Sequence, residues 1–127
     1  MNIDRLDHLV LTVADVSATC AFYERVMGMR VVTFDHARKA LRFGRQKINL
    51  HQAGAEFEPR AVRPVTGLGD LCFISETPMA EIVAGLAAEG VAVIDGPVVR
   101  SGALGAMVSV YFRDPDGNLI EVANYAG

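Results

Sequence analysis

Polar side chains of the kinds that bind metals or move protons interrupt four stretches that otherwise have the pattern of β-strands. Glu121 lies within "NLIEVANY", His8 opens "HLVLTV", and Asp70 opens "DLCFIS". Asn49 and His51 lie two residues apart in "KINLHQ", so strand alternation puts both on one face. Imidazole and carboxylate groups suit Zn, Fe, Mn, Co or Ni, and three protein ligands with open positions suit catalysis. If the fold brings these residues together, a divalent metal would offset the cost of burying them.

Each of these residues also has an ordinary structural explanation. A single histidine near the start of a strand is more often solvated than a ligand, and Glu121 could lie on a solvent-facing side of its strand. Asp70 could cap the turn after "GLG", while Asn49 and His51 could face water on an edge strand. Their matching positions in two similar halves of the chain favour the functional interpretation.

The first half of the chain has the pattern of one strand, one helix and three further strands. Residues 4–13 alternate as in a strand with one buried face. Asp15 or Ser17 is a suitable N-cap for the following helix, and Gly28 is a suitable stop. The remaining strands are predicted over residues 29–34, 39–43 and 47–52, with turns that suit antiparallel neighbours.

The same order returns after a connector, residues 53–68, that contains proline and glycine and lacks periodicity. The second helix is predicted to have Thr77 as N-cap, Pro78 as its first position and Gly90 as its stop. The strands of this half are predicted over residues 69–75, 91–96, 106–112 and 118–125, the last of them after the turn "DPDGN". The sequence therefore predicts two consecutive copies of one βαβββ unit.

Composition indicates a single globular domain and argues against nucleic acid as a partner. The chain has 127 residues, of which 51% are hydrophobic, enough to bury a core. A net charge of -3 and a pI near 5.5 argue against nucleic acid as a partner, and the apolar runs are too short to span a membrane. Cys20 and Cys72 lack CxxC spacing, so we expect free thiols in a cytoplasmic protein.

Two longer stretches, "LDHLVLTVADVSATCAFYERVMGMRVV" and "VYFRDPDGNLIEV", resemble the vicinal oxygen chelate superfamily, which includes glyoxalase I, extradiol dioxygenases and bleomycin resistance proteins. The resemblance implies the α+β class, with two βαβββ modules forming a curved, mixed sheet around a cleft. We expect one domain over residues 1–127, with module 1 at about 4–52 and module 2 at about 69–125. The stretch "RKALRFGRQKINLHQAGAEFEPRA" is also similar to a subgroup of glyoxalase-domain proteins that has a virulence-associated member.

The resemblance also implies a divalent metal ion (Zn, Ni, Co, Mn or Fe) and a homodimer. Carried over residue by residue, the family's first-strand histidine matches His8 and its last-strand glutamate matches Glu121. Asp70 stands where many members have a second histidine, and Asn49 stands where glyoxalase-like members have Glu or Gln. The implied metal ligands are His8, Glu121 and Asp70, with His51 as the alternative third ligand.

The function implied by this resemblance is metal-dependent lyase or isomerase chemistry on a small oxygenated molecule. Glu121 and His51 are the candidate catalytic residues, as proton acceptors. Several arginines near the third and fourth strands and the loops favour an anionic substrate. Asn49, Arg100 and Tyr111 are the candidate substrate-binding residues, with Arg100 as an anion clamp.

Two glycines, at 102 and 105, predict that "VVRSGALGAM" is a mobile loop over the cleft. Two alternatives to a lyase or isomerase remain open in the sequence. One is a metal-free protein that binds a small molecule or an antibiotic. The other is an extradiol-type dioxygenase, which Asp70 disfavours because the usual iron site has two histidines and one carboxylate.

Overall fold

The computed structural model describes residues 1–125 and divides the chain into two compact units. Unit 1 extends from Met1 to Gly67, and unit 2 begins at Leu68. Each unit contains one four-stranded mixed sheet and one helix in the order βαβββ. The predicted α+β class and the repeated order are therefore confirmed.

Unit 1 forms its sheet in the strand order β1, β4, β3, β2. β1 runs parallel to β4, and the other neighbours are antiparallel. The elements of this unit are β1 (His8–Val13), α1 (Val16–Met27), β2 (Arg30–Phe34), β3 (Arg38–Phe43) and β4 (Gln46–Gln52). The N-terminal residues before His8, which were predicted to start the first strand, lie outside it.

Local capping signals explain where α1 begins and ends. Asp15 has an extended backbone, and its carboxylate accepts a hydrogen bond from the backbone N–H of Ala18 at 3.2 Å. Gly28 ends the helix with a φ of 66°, a left-handed conformation that glycine adopts without a Cβ clash. The buried residues of α1 are Thr19 and Tyr23, which lie on one face of the helix.

Unit 2 repeats this topology, with the strand order β5, β8, β7, β6. β5 runs parallel to β8, and the remaining neighbours are antiparallel. The elements are β5 (Asp70–Ile74), α2 (Met79–Ala88), β6 (Asp95–Gly102), β7 (Gly105–Arg113) and β8 (Leu119–Tyr125). No helix among residues 1–125 is both long and apolar enough to cross a membrane.

The apolar faces of the two sheets form the cores of their units. Alternation along the strands buries one set of aliphatic and aromatic side chains, as the sequence predicted. The most deeply buried are Val13, Leu41 and Ile48 in unit 1 and Val110, Phe112 and Ile120 in unit 2. The polar residues lie on the opposite face of each sheet.

Three predictions in unit 2 were wrong. Thr77 does not cap α2, because Pro78 occupies the N-cap position and no side chain caps it. The strand predicted over 91–96 instead begins at Asp95. The backbone after α2 is held by hydrogen bonds from the N–H of Val91 to the carbonyl of Leu86, at 2.9 Å, and from Ile94 to Tyr111, at 2.9 Å.

The predicted mobile loop is the third error, since this segment is a tight hairpin. Gly102 pairs with Gly105, and the strands on either side are β6 and β7. The backbone N–H of Leu104 donates to the hydroxyl of Tyr125 at 3.0 Å. A Cβ at position 102 would overlap that Tyr125 ring, so close packing, not mobility, accounts for this glycine.

The turn "DPDGN" joins β7 to β8 through a buried hydrogen-bond network. Asn118 is 1% exposed; its amide nitrogen donates to Asp114 at 2.8 Å and its amide oxygen accepts from the backbone N–H of Gly69 at 2.7 Å. One oxygen of Asp114 also accepts from the backbone N–H groups of Asp116 and Asn118. The turn therefore ties the start of β8 to the residue just before Asp70.

The two units have equivalent registers. His8 lies opposite Lys47 and Asp70 lies opposite Leu119. Asn49 and Glu121 each come two residues after those partners, so they occupy corresponding positions in their own units. This agrees with the predicted alignment of the two halves.

Candidate functional site

The polar face of the unit 1 sheet forms the floor of a pocket of about 600 Å³. His8, Val10 and Thr12 line it from β1, as alternation predicted, and Asn49 and His51 line it from β4. Arg38 of β3 and connector residues between Glu58 and Pro64 complete the wall. The pocket therefore brings together three of the predicted site residues, His8, Asn49 and His51.

The imidazole of His8 is oriented by its neighbour in the chain. Its Nδ1 lies 2.8 Å from a carboxylate oxygen of Asp7, and this hydrogen bond is the largest cause of the lowered pKa of Asp7. An ionised carboxylate only accepts hydrogen bonds, so Nδ1 carries the proton. The Nε2 lone pair of a neutral His8 is then available to a ligand, the arrangement common for metal-binding histidines.

His51 has a different environment at the other end of the pocket. It is 3% exposed, and a guanidinium nitrogen of Arg38 lies 3.3 Å from its Nε2. Because arginine can only donate, Nε2 accepts and the ring is neutral. Burial, followed by the charge of Arg38, lowers the pKa of His51.

Asn49 lies between these two histidines along the pocket floor. The residue is 5% exposed, and its side-chain oxygen has no hydrogen-bond donor within residues 1–125. Buried acceptors are normally satisfied, so an unmet one invites a donor from a ligand or from water. The position predicted for substrate binding thus presents an unused acceptor to the pocket.

Unit 2 carries a continuous chain of polar side chains across all four strands. Arg100 donates to the hydroxyl of Tyr111 at 3.0 Å and to the carboxylate of Asp95 at 3.1 Å. Tyr111 and Cys72 lie opposite Glu121 on the neighbouring strands, and desolvation, followed by the Glu121 carboxylate, raises the pKa of both groups.

Glu121 lies between two neighbouring strands and has an unsatisfied side-chain oxygen. It lies opposite Tyr111 on β7 and opposite Cys72 on β5. Its buried Oε2 has no hydrogen-bond partner in the described part of the chain. A carboxylate oxygen in this state requires a cation or a proton donor to offset its desolvation.

The carboxylate affects the pKa of the thiol beside it. Cys72 is an exposed residue, but partial desolvation of its thiol, followed by the nearby charge of Glu121, raises the pKa of Cys72 to about 11. Burial is also the first cause of the raised pKa of Tyr111, with Glu121 adding to it and Arg100 opposing it. Cys72 is therefore a protonated hydrogen-bond donor at neutral pH.

Asp70 lies at the start of β5, on the same face as Cys72, and is exposed. Its side chain makes no hydrogen bond or ion pair to other residues in the range 1–125 that the structure covers. Taken alone, neither unit holds three or more His, Cys, Asp or Glu side chains grouped closely enough for a metal ion, as far as residues 1–125 are concerned. The predicted ligands are thus divided, with His8 in unit 1 and Asp70 and Glu121 in unit 2.

Four contributing residues were absent from the sequence prediction. They are Asp7, Arg38, Cys72 and Asp95, each of which contacts a predicted site residue. Asp7 directly precedes His8, and Cys72 shares the predicted polar face of its strand, so both could have been found from the pattern. Arg38 and Asp95 could not, because their segments were read as a turn and as part of another strand.

The fold and these donor positions together define a class of protein. Residues 5–122 match the family described as Glyoxalase/Bleomycin resistance protein/Dioxygenase superfamily, and the chain belongs to this family. Among its relatives is virulence protein STM3117 of Salmonella typhimurium, which is 57% identical over 125 residues, 98% of this chain and 87% of that protein. The crystal structure of STM3117 matches with a TM-score of 0.98 and 56% identity over 99% of this chain and 100% of that chain.

Two further relatives widen the comparison. The glyoxalase domain-containing protein RDO1 of Mycosarcoma maydis is 50% identical over 125 residues, which are 98% of this chain and 70% of that protein. The crystal structure of lactoylglutathione lyase from Agrobacterium tumefaciens has a TM-score of 0.74 at 25% identity, over 97% of this chain and 95% of that chain. The family resemblance deduced from the sequence motifs is therefore confirmed.

Proposed function

We propose that this chain is a metal-dependent enzyme of the glyoxalase type, with lyase or isomerase chemistry on a small, anionic, oxygenated molecule. Membership of the superfamily supports the general class, and a structural relative that is a lactoylglutathione lyase supports this chemistry. The fold alone would not choose a reaction, because one fold hosts many. The choice rests on the donor residues.

The state of Glu121 carries the proposal. Its Oε2 is buried and lacks any hydrogen-bond partner among residues 1–125, and the carboxylate lies between Tyr111 and Cys72 on the neighbouring strands. Such an oxygen is suited to a metal cation. His8 supports the same reading, because its hydrogen bond to Asp7 leaves Nε2 for a ligand.

His8, Asp70 and Glu121 are the proposed metal ligands, a set of one nitrogen and two oxygen donors that fits a divalent transition ion. We also propose a homodimer, so that the donors come from one chain or from two. When bound, such an ion supplies Lewis-acid stabilisation of negative charge on two neighbouring substrate oxygens.

The other polar residues take supporting roles in this proposal. Tyr111 orients Glu121 and is itself fixed by Arg100, whose charge is paired with Asp95. Glu121 is the proposed proton acceptor as well as a ligand. His51 keeps its Nε2 engaged with Arg38, so it positions that cation instead of taking a proton from substrate.

Metal content is the first test. Protein purified without an affinity tag should contain about one equivalent of a transition metal per chain. The His8→Ala and Glu121→Ala variants should lose it, since each removes a proposed ligand. His36→Ala and Glu81→Ala are matched controls outside the site and should keep the metal. Failure to bind Zn, Ni, Co, Mn or Fe(II) after reconstitution would refute the proposal.

A metal-free binding protein is the second candidate. The pocket of about 600 Å³ supports it, because it lies wholly within unit 1 and does not need Glu121. If wild-type protein takes up no metal yet binds small molecules in this pocket, the binding function replaces the enzymatic one. Retention of binding in Glu121→Ala would strengthen that outcome.

A further inference from the structure

Arg38, in the wall of the unit 1 pocket, is a cation with no carboxylate partner among residues 1–125. Its guanidinium carbon lies 5.0 Å from the ring centre of Phe34 and 4.5 Å from that of Phe57. The hydrogen bond to His51 fixes the group in a third direction. Its buried Nε has no hydrogen-bond partner in the described residues. These contacts orient the cation without neutralising it.

A second arginine of the same pocket provides the contrast. Arg60 is paired with Glu58 at 2.8 Å and lies 4.0 Å from Glu56. The two glutamates also influence His51 through space, but their ion pairs are with Arg60. The connector thus supplies counter-charges for one arginine of the pocket and leaves Arg38 to an external anion.

Asn49 lies diagonally across from Arg38 in the sheet. Ala40 faces Asn49 and Lys39 faces Leu50, so Arg38 falls opposite His51, two residues further along β4. Two residues of a strand span about 6.6 Å. A small molecule can therefore reach both the cationic group and the unused oxygen of Asn49.

We propose that this end of the pocket binds an oxyanion on a small molecule that also carries a hydroxyl or amino group beside it. Arg38 donates to the oxyanion, and the side-chain oxygen of Asn49 accepts from the neighbouring group. His51 is a positioning residue that holds Arg38. The inference rests on the proposed function only in taking the pocket as the ligand site of this protein, with His8 at its opposite end.

This choice of the arginine that binds the anion differs from the sequence prediction. Arg100 was the predicted anion clamp, but it donates to Tyr111, Asp95 and the carbonyl of Val99. A guanidinium with these partners has less to offer a ligand than one with an unused, pre-oriented N–H. Arg38 therefore takes the role of recognising the anion.

The test is a titration followed by NMR of the arginine Nε–Hε signals, on the full chain labelled with ¹⁵N. Glycolate, acetate and inorganic phosphate are added at constant ionic strength, both to protein as purified and after chelation and buffer exchange. Glycolate should shift the Arg38 signal saturably and bind about tenfold more tightly than acetate, because only glycolate offers Asn49 a hydroxyl. Phosphate shows whether the oxyanion can be a phosphate instead of a carboxylate.

Four variants make the result specific. In the Arg38 variants, which lack the Arg38 signal, binding is followed by the backbone amide signals of Asn49 and His51. Arg38→Met should abolish saturable binding, and Arg38→Lys should retain a weaker form of it because the charge remains. Arg45→Met is the control, because Arg45 is an exposed arginine outside the pocket lining, and it should bind like wild type. Asn49→Leu should remove the preference for glycolate over acetate, without loss of acetate binding.

Three outcomes would overturn the inference: no saturable shift with any of the three anions, equal binding in Arg38→Met and wild type, or an equal loss of binding in Arg45→Met. The amide spectrum of each variant reports whether it is folded. Because the titration is also run on chelated protein, its result is independent of the metal. Absence of metal with anion binding intact would refute only the enzymatic proposal.

Discussion

The two units share one topology and the same register between their parallel strands, yet they present different chemistry at corresponding positions. In unit 1, Asn49 stands beside a neutral His51 and a cationic Arg38, over a pocket. In unit 2, the position that corresponds to Asn49 is Glu121, beside Tyr111 and Cys72. The repeated backbone decides which positions lie on the polar face, and the residue type decides whether such a position presents a carboxylate or a neutral amide.

The largest change in stability is expected at Gly96, where the strand register of unit 2 differs from that of unit 1. The β6–β7 register shifts between Asp95 and Val98, whereas the β2–β3 register is continuous. Gly96 sits at that shift with a φ of 95°, and an added Cβ would overlap the carbonyl oxygen of Ser109. Gly96→Ala should therefore lower the free energy of unfolding by about 3 kcal/mol.

Denaturant titration measures this change, and Gly85→Ala provides the control. Gly85 lies in α2 with open space around it, so its replacement should be neutral or stabilising by up to about 1 kcal/mol. Hydrogen exchange should show the loss of protection concentrated in β6 and β7. A Gly96→Ala protein as stable as wild type would mean that the shifted register is not needed.

The charge of Glu121 can be read from the thiol beside it. With a pKa of about 11, Cys72 should react with iodoacetamide at pH 8 about 100-fold more slowly than an ordinary thiol. Glu121→Gln should recover part of this rate, because the negative charge is removed while burial remains. The measurement uses a Cys20→Ser background so that only Cys72 reacts. An unchanged rate in Glu121→Gln would argue against a charged Glu121 at this position.

The smallest expected effect is the change in stability caused by protonation of His51. The pKa of His51 lies below its ordinary value of 6.5, so between these two values the unfolded chain binds more protons than the folded one. Stability should be unaffected by His51 above pH 6.5 and should fall as the pH drops below it, by at most about 1.4 kcal/mol per pH unit. Protonation also breaks its acceptor bond from Arg38.

NMR titration of the His51 ring gives this pKa directly. In Arg38→Met the pKa should move up towards 6.5, since the second cause of its depression is removed. It should stay below 6.5 because burial, the larger cause, remains. A value at or above 6.5 in the wild-type protein would contradict the neutral ring described here.

Sequence reasoning succeeded where a signal was local. Alternation correctly assigned the faces of β1 and β4, and Asp15 and Gly28 correctly bounded α1. It failed at the β6–β7 hairpin, which was predicted to be a mobile loop although Gly102 packs against Tyr125. It also missed Arg38, because residues 35–38 have the composition of a turn, and that composition does not specify the hairpin register that puts Arg38 opposite His51.

By itself, the sequence determined the repeated βαβββ order, the polar face of each sheet and the family, because caps, turn residues and the period-two pattern act over a few residues. Only the tertiary structure decided the partners of the polar groups. Arg38 and His51 are 13 residues apart and Arg100 and Tyr111 are 11 apart. Such pairs depend on strand register and on bulges, and a shift of one residue would turn each side chain to the opposite face.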